Sequence, residues 1–238
     1  MDGQYLIFTW SDMMMNVCNL IKTMSGRNII DNLSFTISKG ERVSLFAPSG
    51  AGKSTLINIL SGLDRKFAGS VSVRAEQKVT LFQEPGLLWY KSVQENILYP
   101  LKLNSIAVNR EILKRYDEWM EITKLKESGS SFPYEISGGM KHKAAIVRAF
   151  LLNPDLILMD EPFNSIDIAA KKEIIAYIQA TYPDITLLLV THHPDEIPLL
   201  TNRVMLFREQ QLSDLFATVT LSADSGLHDL TEHLFKSI

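Results

Sequence analysis

The stretch Ala47-Pro48-Ser49-Gly50-Ala51-Gly52-Lys53-Ser54-Thr55 follows a short apolar run and opens a helical one. Small residues at such a junction let backbone N–H groups turn inward around a phosphate, and the helix N-terminus adds positive potential. In this pattern Ser49, Gly50, Ala51, Gly52 and Thr55 wrap the phosphates. Lys53 reaches the β and γ phosphates, and the Ser54 hydroxyl binds Mg²⁺. Ala47 stands where the usual pattern begins with glycine. If that position needed a positive φ, alanine would cost about 1 kcal/mol.

Leu156-Ile157-Leu158-Met159-Asp160-Glu161-Pro162 is an apolar run that stops at two carboxylates. On a strand this places both at the carboxyl edge of a sheet, where open α/β sheets bind ligands. Asp160 is then a candidate for holding Mg²⁺ through water. Glu161, directed differently, is a candidate to accept a proton from an attacking water. Ile136-Ser137-Gly138-Gly139-Met140 opens another helical stretch. Ser137 is a good N-cap, and two glycines leave the first N–H groups uncovered, so this start can hold an anion without a basic side chain.

The elements that carry these residues are readable from periodicity. Apolar runs of four or five residues recur at Val43 to Phe46, Val79 to Phe82, Leu156 to Met159, Leu187 to Val190 and Val204 to Phe207. Nearly free of polar residues, they suit strands covered on both faces, as in a parallel sheet. Helical stretches lie between them at Ser54 to Ser61, Glu111 to Thr123, Met140 to Leu152 and Ala169 to Ala180. This alternation predicts an α/β core. Alternating residues from Asn28 to Ile37 and Gly69 to Arg74 predict a small antiparallel sheet near the start.

Residues 91–135 carry amphipathic helix and no strand run. Ile112, Leu113, Tyr116, Trp119 and Met120 form the apolar side of the Glu111 to Thr123 helix. The expected organisation is one unit over residues 1–238: a core of about 1–90 and 154–210, an inserted helical subdomain of about 91–153, and a tail of 211–238 with a short helix at His228 to Lys236. Met13-Met14-Met15 leaves two readings open. The residues before it are an upstream extension, or they begin an ordinary first strand with Tyr5 to Trp10 packed on the sheet.

Composition removes other classes. The chain has 238 residues, 46% hydrophobic and 21% charged, which is globular and long enough for a core. Its formal net charge is −3 and no basic stretch exceeds Lys141-His142-Lys143, which argues against nucleic acid. The single cysteine, Cys18, excludes an internal disulfide framework and reads as a small buried residue. No run of about 18 apolar residues offers a membrane span, and no signal peptide is evident. His193, His228 and His233 read as surface histidines without metal-ligand company.

Taken together, the ordered motifs resemble the nucleotide-binding subunit of ATP-binding cassette (ABC) transporters. The order is phosphate loop, Gln83, Ser137-Gly138-Gly139, Asp160-Glu161, Asp167, His192, with steps of 30 residues from Lys53 to Gln83, 54 to Ser137, 23 to Asp160, and 31 from Glu161 to His192. The resemblance runs from about Asn16 to Phe207 and implies a P-loop NTPase core with mainly parallel sheet. It implies ATP and Mg²⁺ as ligands, with Gln83 sensing Mg²⁺ and the attacking water, and His192 on the γ-phosphate. Asp167 would contact the opposite subunit of a head-to-tail dimer. There ATP lies between one phosphate loop and the Ser-Gly-Gly helix of the other copy.

Gln83 to Tyr90 and Val93 to Ile97 are similar to importer subunits of the nitrate, sulfonate and taurine group. The implied partners are a transmembrane permease subunit and, through it, a solute-binding protein. The implied location is the cytoplasm, peripheral on the inner face of the membrane. Trp89 and Tyr90 are either part of the groove that receives a permease helix or core aromatics of the helical subdomain. The family's adenine-stacking aromatic is absent near Met24, leaving a thioether for that face. Met140 and His142-Lys143 also depart from the common pattern. Two alternatives remain: the motor of a split exporter, and a weakly hydrolysing regulatory module.

Overall fold

The structure is a computed structural model that describes residues 12–207, 212–213 and 217–221. Strands β1 (Met13–Met24), β2 (Arg27–Ser38) and β4 (Ala68–Val73) form an antiparallel sheet in the order β2-β1-β4. A second sheet comprises β3 (Arg42–Phe46), β5 (Lys78–Leu81), β6 (Leu156–Asp160), β7 (Thr186–Val190), β8 (Arg203–Leu206) and β9 (Ala217–Thr220). Its order is β5-β6-β7-β3-β8-β9, parallel throughout except for β9, which runs antiparallel to β8.

The uninterrupted apolar runs are explained by burial on two faces. In β6, Ile157 and Met159 pack with the helices α2 (Val93–Leu103), α3 (Arg110–Ile122), α4 (Gly138–Phe150) and α5 (Ile168–Thr181). Leu156 and Leu158 pack with α1 (Lys53–Ser61) and the antiparallel sheet. Leu187 and Leu189 against Leu188 and Val190 repeat the division in β7. A strand with a core on each side has no polar face to show.

The register brings four carboxyl ends to one edge. Leu45 and Asp160 both pair with Val190, and Leu81 pairs with Met159. The phosphate loop after β3, the segment after β5, the end of β6 and the segment after β7 therefore leave the sheet side by side.

Four expectations need correction. The early antiparallel sheet has β1 at its centre, a strand the alternation did not show. Asn19 adopts φ 49°, and the pairing slips between Val17 and Leu20. This bulge breaks the two-residue period that marks a strand. Gly69 answers it: a Cβ there would lie 2.3 Å from the Asn19 carbonyl oxygen. Met14 and Met15 are core residues of this strand, while Tyr5 to Trp10 lie outside the described residues. Leu113 is exposed rather than on the apolar side of α3, which buries Ile112, Trp119 and Met120. Cys18 is half-buried, and its thiol donates to Asn16 Oδ1 at 3.4 Å. Part of the expected tail belongs to the main sheet as β9; the expected helix at His228 to Lys236 lies outside the described residues.

Candidate functional site

An open cavity of about 540 Å³ lies at the carboxyl edge of the large sheet. Met24, Ser49, Gly50, Gly52, Lys53, Ser54, Thr55, Gln83, Asp160, Glu161 and His192 line it, together with Ile29. All but Ile29 were expected from the sequence. The signal for Ile29 was its place beside the turn that ends β1.

The loop is built to receive an anion. Gly50 and Gly52 adopt φ 81° and 97°, the left-handed region that glycine enters without strain. Gly52 is doubly constrained, because a Cβ would lie 2.7 Å from the Ile29 side chain. Ala47 lies outside the positive-φ residues and is buried in the core, so the strain considered for alanine does not arise. Ala51 faces the same core and supports the loop from behind. At the α1 N-terminus no side chain caps the first N–H groups, and no acidic residue occupies the first turn. These donors remain free for an anion. Lys53 folds back, donating to the carbonyls of Ala47 and Pro48 at 2.9 Å each. Burial pushes its pKa down, opposed by Glu161 and Asp160.

The two carboxylates face different partners. Asp160 is 3% exposed. Burial raises its pKa; the Ser54 side-chain hydrogen bond lowers it, Glu161 raises it and Lys53 lowers it. Glu161 turns the chain with φ 50°, held by its N–H donating to the Val190 carbonyl at 2.9 Å. A non-glycine residue there is uncommon and costs on the order of 1 kcal/mol. The turn brings Glu161 Oε1 to 2.7 Å from His192 Nδ1.

A buried network that the sequence did not reveal stands behind this pair. Thr191 Oγ1 lies 2.7 Å from Glu196 Oε2 and 3.4 Å from Glu161 Oε2. A hydroxyl has one proton, and the shorter contact takes it. Lys171 Nζ, on α5, donates to Glu196 Oε1 at 2.6 Å. The lysine and glutamate neutralise each other out of water. No sequence signal distinguished Lys171 and Glu196 from surface charges.

The segment after Gln83 is clamped by the helical part. The Arg148 guanidinium donates to the carbonyls of Pro85 and Gly86 at 2.6 and 2.9 Å. The buried Asn96 amide donates to the carbonyls of Leu88, Lys91 and Ser92. Ser92 and Glu95 form a capping box at the start of α2, a Ser-x-x-Glu signal readable in the sequence. Trp89 and Tyr90 are 72% and 55% exposed, with rings edge to face at 5.5 Å. They are not core aromatics.

Ser137, Gly138, Gly139 and Asp167 stay outside the cavity lining. Ser137 Oγ accepts from Met140 N at 3.3 Å as the N-cap of α4. Asp167 caps α5 by accepting from Ala170 N, and lies 3.8 Å from Lys143. Gly139 approaches the loop after Glu161 so closely that a Cβ would lie 2.3 Å from the Ser165 carbonyl oxygen. At Gly138 the nearest such atom is 4.0 Å away.

The ABC transporter family matches residues 30–164, which includes the loop, Gln83, the Ser-Gly-Gly start and Asp160-Glu161. The chain belongs to the ABC transporter family. It is 36% identical over 193 residues to the aliphatic sulfonates import ATP-binding protein SsuB of Bacillus subtilis, covering 76% of this chain and 72% of that protein. It is 30% identical to the spermidine/putrescine import ATP-binding protein PotA of Pseudomonas aeruginosa, over 87% of this chain and 60% of that one. Among solved structures, the dimeric ATP-binding cassette MJ0796, in a post-hydrolysis state bound to ADP and Pi, superposes with a TM-score of 0.76. It is 25% identical and covers 88% of this chain and 99% of that chain. As a member of this family the chain binds nucleotide and is an ATPase.

Proposed function

We propose that this ATPase energises solute import through a separate transmembrane permease subunit, in the nitrate, sulfonate and taurine group of importers. One observation carries the reading: a single cavity collects an uncapped phosphate loop, Lys53, the Ser54–Asp160 pair, Gln83 and the Glu161–His192 pair. The similarity to SsuB supports the importer branch. The exposed Trp89 and Tyr90, on a loop pinned by Arg148 and Asn96, support a docking surface for a permease helix.

The residues suggest how hydrolysis runs. The loop N–H groups and Lys53 hold the triphosphate, with Lys53 exchanging its two carbonyls for phosphate oxygens. Ser54, Gln83 and Asp160 present oxygen donors at the loop, the donor type that suits Mg²⁺. Mg²⁺ held by these residues would offset the negative charge of the triphosphate. Glu161 orients the attacking water and accepts its proton. His192, held on Glu161, meets the γ-phosphate. Met24 supplies the apolar surface for the adenine.

The cavity is open, and the Ser137 helix start lies outside it on the same chain. A second copy packed head to tail places its Ser137, Gly138 and Gly139 across the nucleotide, with Asp167 at the seam. Loss of the γ-phosphate then separates the copies, and that opening drives the permease. Among the described residues no helix is long and apolar enough to cross a membrane. The proposed place is the inner membrane face, peripheral on the permease.

Purification of the complex from native membranes, followed by mass spectrometry of co-eluting subunits and solute, tests this. A permease with a solute-binding protein and a small anionic solute is expected. Recovery with exporter components, or without any membrane subunit, overturns the importer reading.

A further inference from the structure

His193 has the metal-ligand company that the sequence did not show. Ligand atoms of Glu161, His192 and His193 all lie within 4.8 Å of one another. We propose that these three side chains form a binding site for a divalent transition cation of the Zn²⁺ type, and that its occupation silences hydrolysis.

The donor set defines the ion. Two imidazoles and one carboxylate suit Zn²⁺, with a fourth position left open. Mg²⁺ prefers oxygen donors alone and is served elsewhere in the cavity. The three side chains are held unequally, which suits capture. Glu161 is 7% exposed and fixed by its backbone turn. The His193 ring is partly buried, 4.0 Å from that of His192 and tilted by 38°. The His192 side chain is 54% exposed and can adjust. Tetrahedral Zn²⁺ at about 2.0 Å separates its ligand atoms by about 3.3 Å. The 2.7 Å between His192 Nδ1 and Glu161 Oε1 must therefore widen by roughly half an ångström, within reach of side-chain rotation.

The support behind the site is already buried. His193 N donates to Thr191 Oγ1 at 3.1 Å, and that hydroxyl is anchored on the Glu196–Lys171 pair. That contact fixes the backbone that carries the His193 ring. No bond is made or broken by the ion. It takes the lone pairs of Glu161 and His192, so the carboxylate no longer accepts a proton from water. Lys53, Ser54 and the loop N–H groups stay free, and nucleotide still binds. The silencing half rests on the proposed role of Glu161; the binding half does not.

The test uses the full chain without nucleotide, in competition between Zn²⁺ and a chromophoric chelator, with Co²⁺ absorption as a second reading. Wild type should bind one Zn²⁺ and show the bands of tetrahedral Co²⁺. His193→Ala and Glu161→Gln should each weaken binding at least about tenfold and lose those bands. Hydrolysis at saturating Mg–ATP and buffered free Zn²⁺ should fall in wild type and persist in His193→Ala. Equal Zn²⁺ affinity in wild type and His193→Ala overturns the site. Site-dependent binding without inhibition overturns the silencing role alone.

Discussion

Two glycine-rich helix starts differ in what surrounds them. At the α1 start, N–H groups without a side-chain cap meet Lys53, and Asp160, Glu161 and His192 complete a cavity within one chain. At the α4 start, Ser137 caps its own helix, Gly138 lies exposed, and neither lines the cavity. The first start opens into a cavity of its own chain, while the second does not. The difference teaches that one chain gathers its own charged groups around the α1 start, whereas the proposed closure over the nucleotide needs a second copy.

The largest effect is expected where the site is complete. Lys53→Ala should weaken binding of a fluorescent ATP analogue by about 100-fold or more, because a charge-assisted contact to phosphate is lost. Unchanged titration would break the contrast by making the α1 start as bare as the α4 start.

Asp160→Asn should oppose function and stability. Burial raises the Asp160 pKa, so the native protein gains from holding that proton at acid pH. The gain is lost as pH rises through the raised value, and at neutral pH the ionised group costs stability. The asparagine variant should therefore melt higher at neutral pH, with the difference shrinking in acid below the ordinary carboxylate range. Its Mg²⁺-dependent hydrolysis should fall by about 100-fold or more. An unchanged or lower melting temperature at neutral pH would count against the buried charge.

Smaller effects separate the two glycines of the α4 start. Gly139→Ala meets the Ser165 carbonyl and should destabilise by about 1–3 kcal/mol in urea unfolding. Gly138→Ala has room and should stay within about 0.5 kcal/mol of wild type. Equal losses would mean that both glycines serve packing, leaving neither for a ligand.

The contrast also explains what the sequence showed. Strands β3, β6 and β7 were legible because two-sided burial leaves unbroken apolar runs. The loop from Ser49 to Thr55 and the Asp160-Glu161 pair were legible from their residue types and setting, while Gln83, His192 and Met24 were implied by the family resemblance alone. β1 was hidden because the bulge at Asn19 interrupts its alternation. Lys171, Glu196 and His193 were hidden for another reason. Lys171 and Glu196 lie 25 residues apart, and His193 joins Glu161 from across the sheet edge, contacts made only when β6, β7 and α5 pack. Gly139 was read as uncovering N–H groups, and the close approach of Ser165 gives it a second reason to be glycine.

The central claim is that two copies close over the nucleotide. Light scattering of Glu161→Gln with Mg–ATP measures it, with Ser137→Arg added in the same background. The account predicts a dimer for the single variant and a monomer that still binds ATP for the double one. A monomer in both, or a dimer indifferent to arginine at position 137, would contradict it.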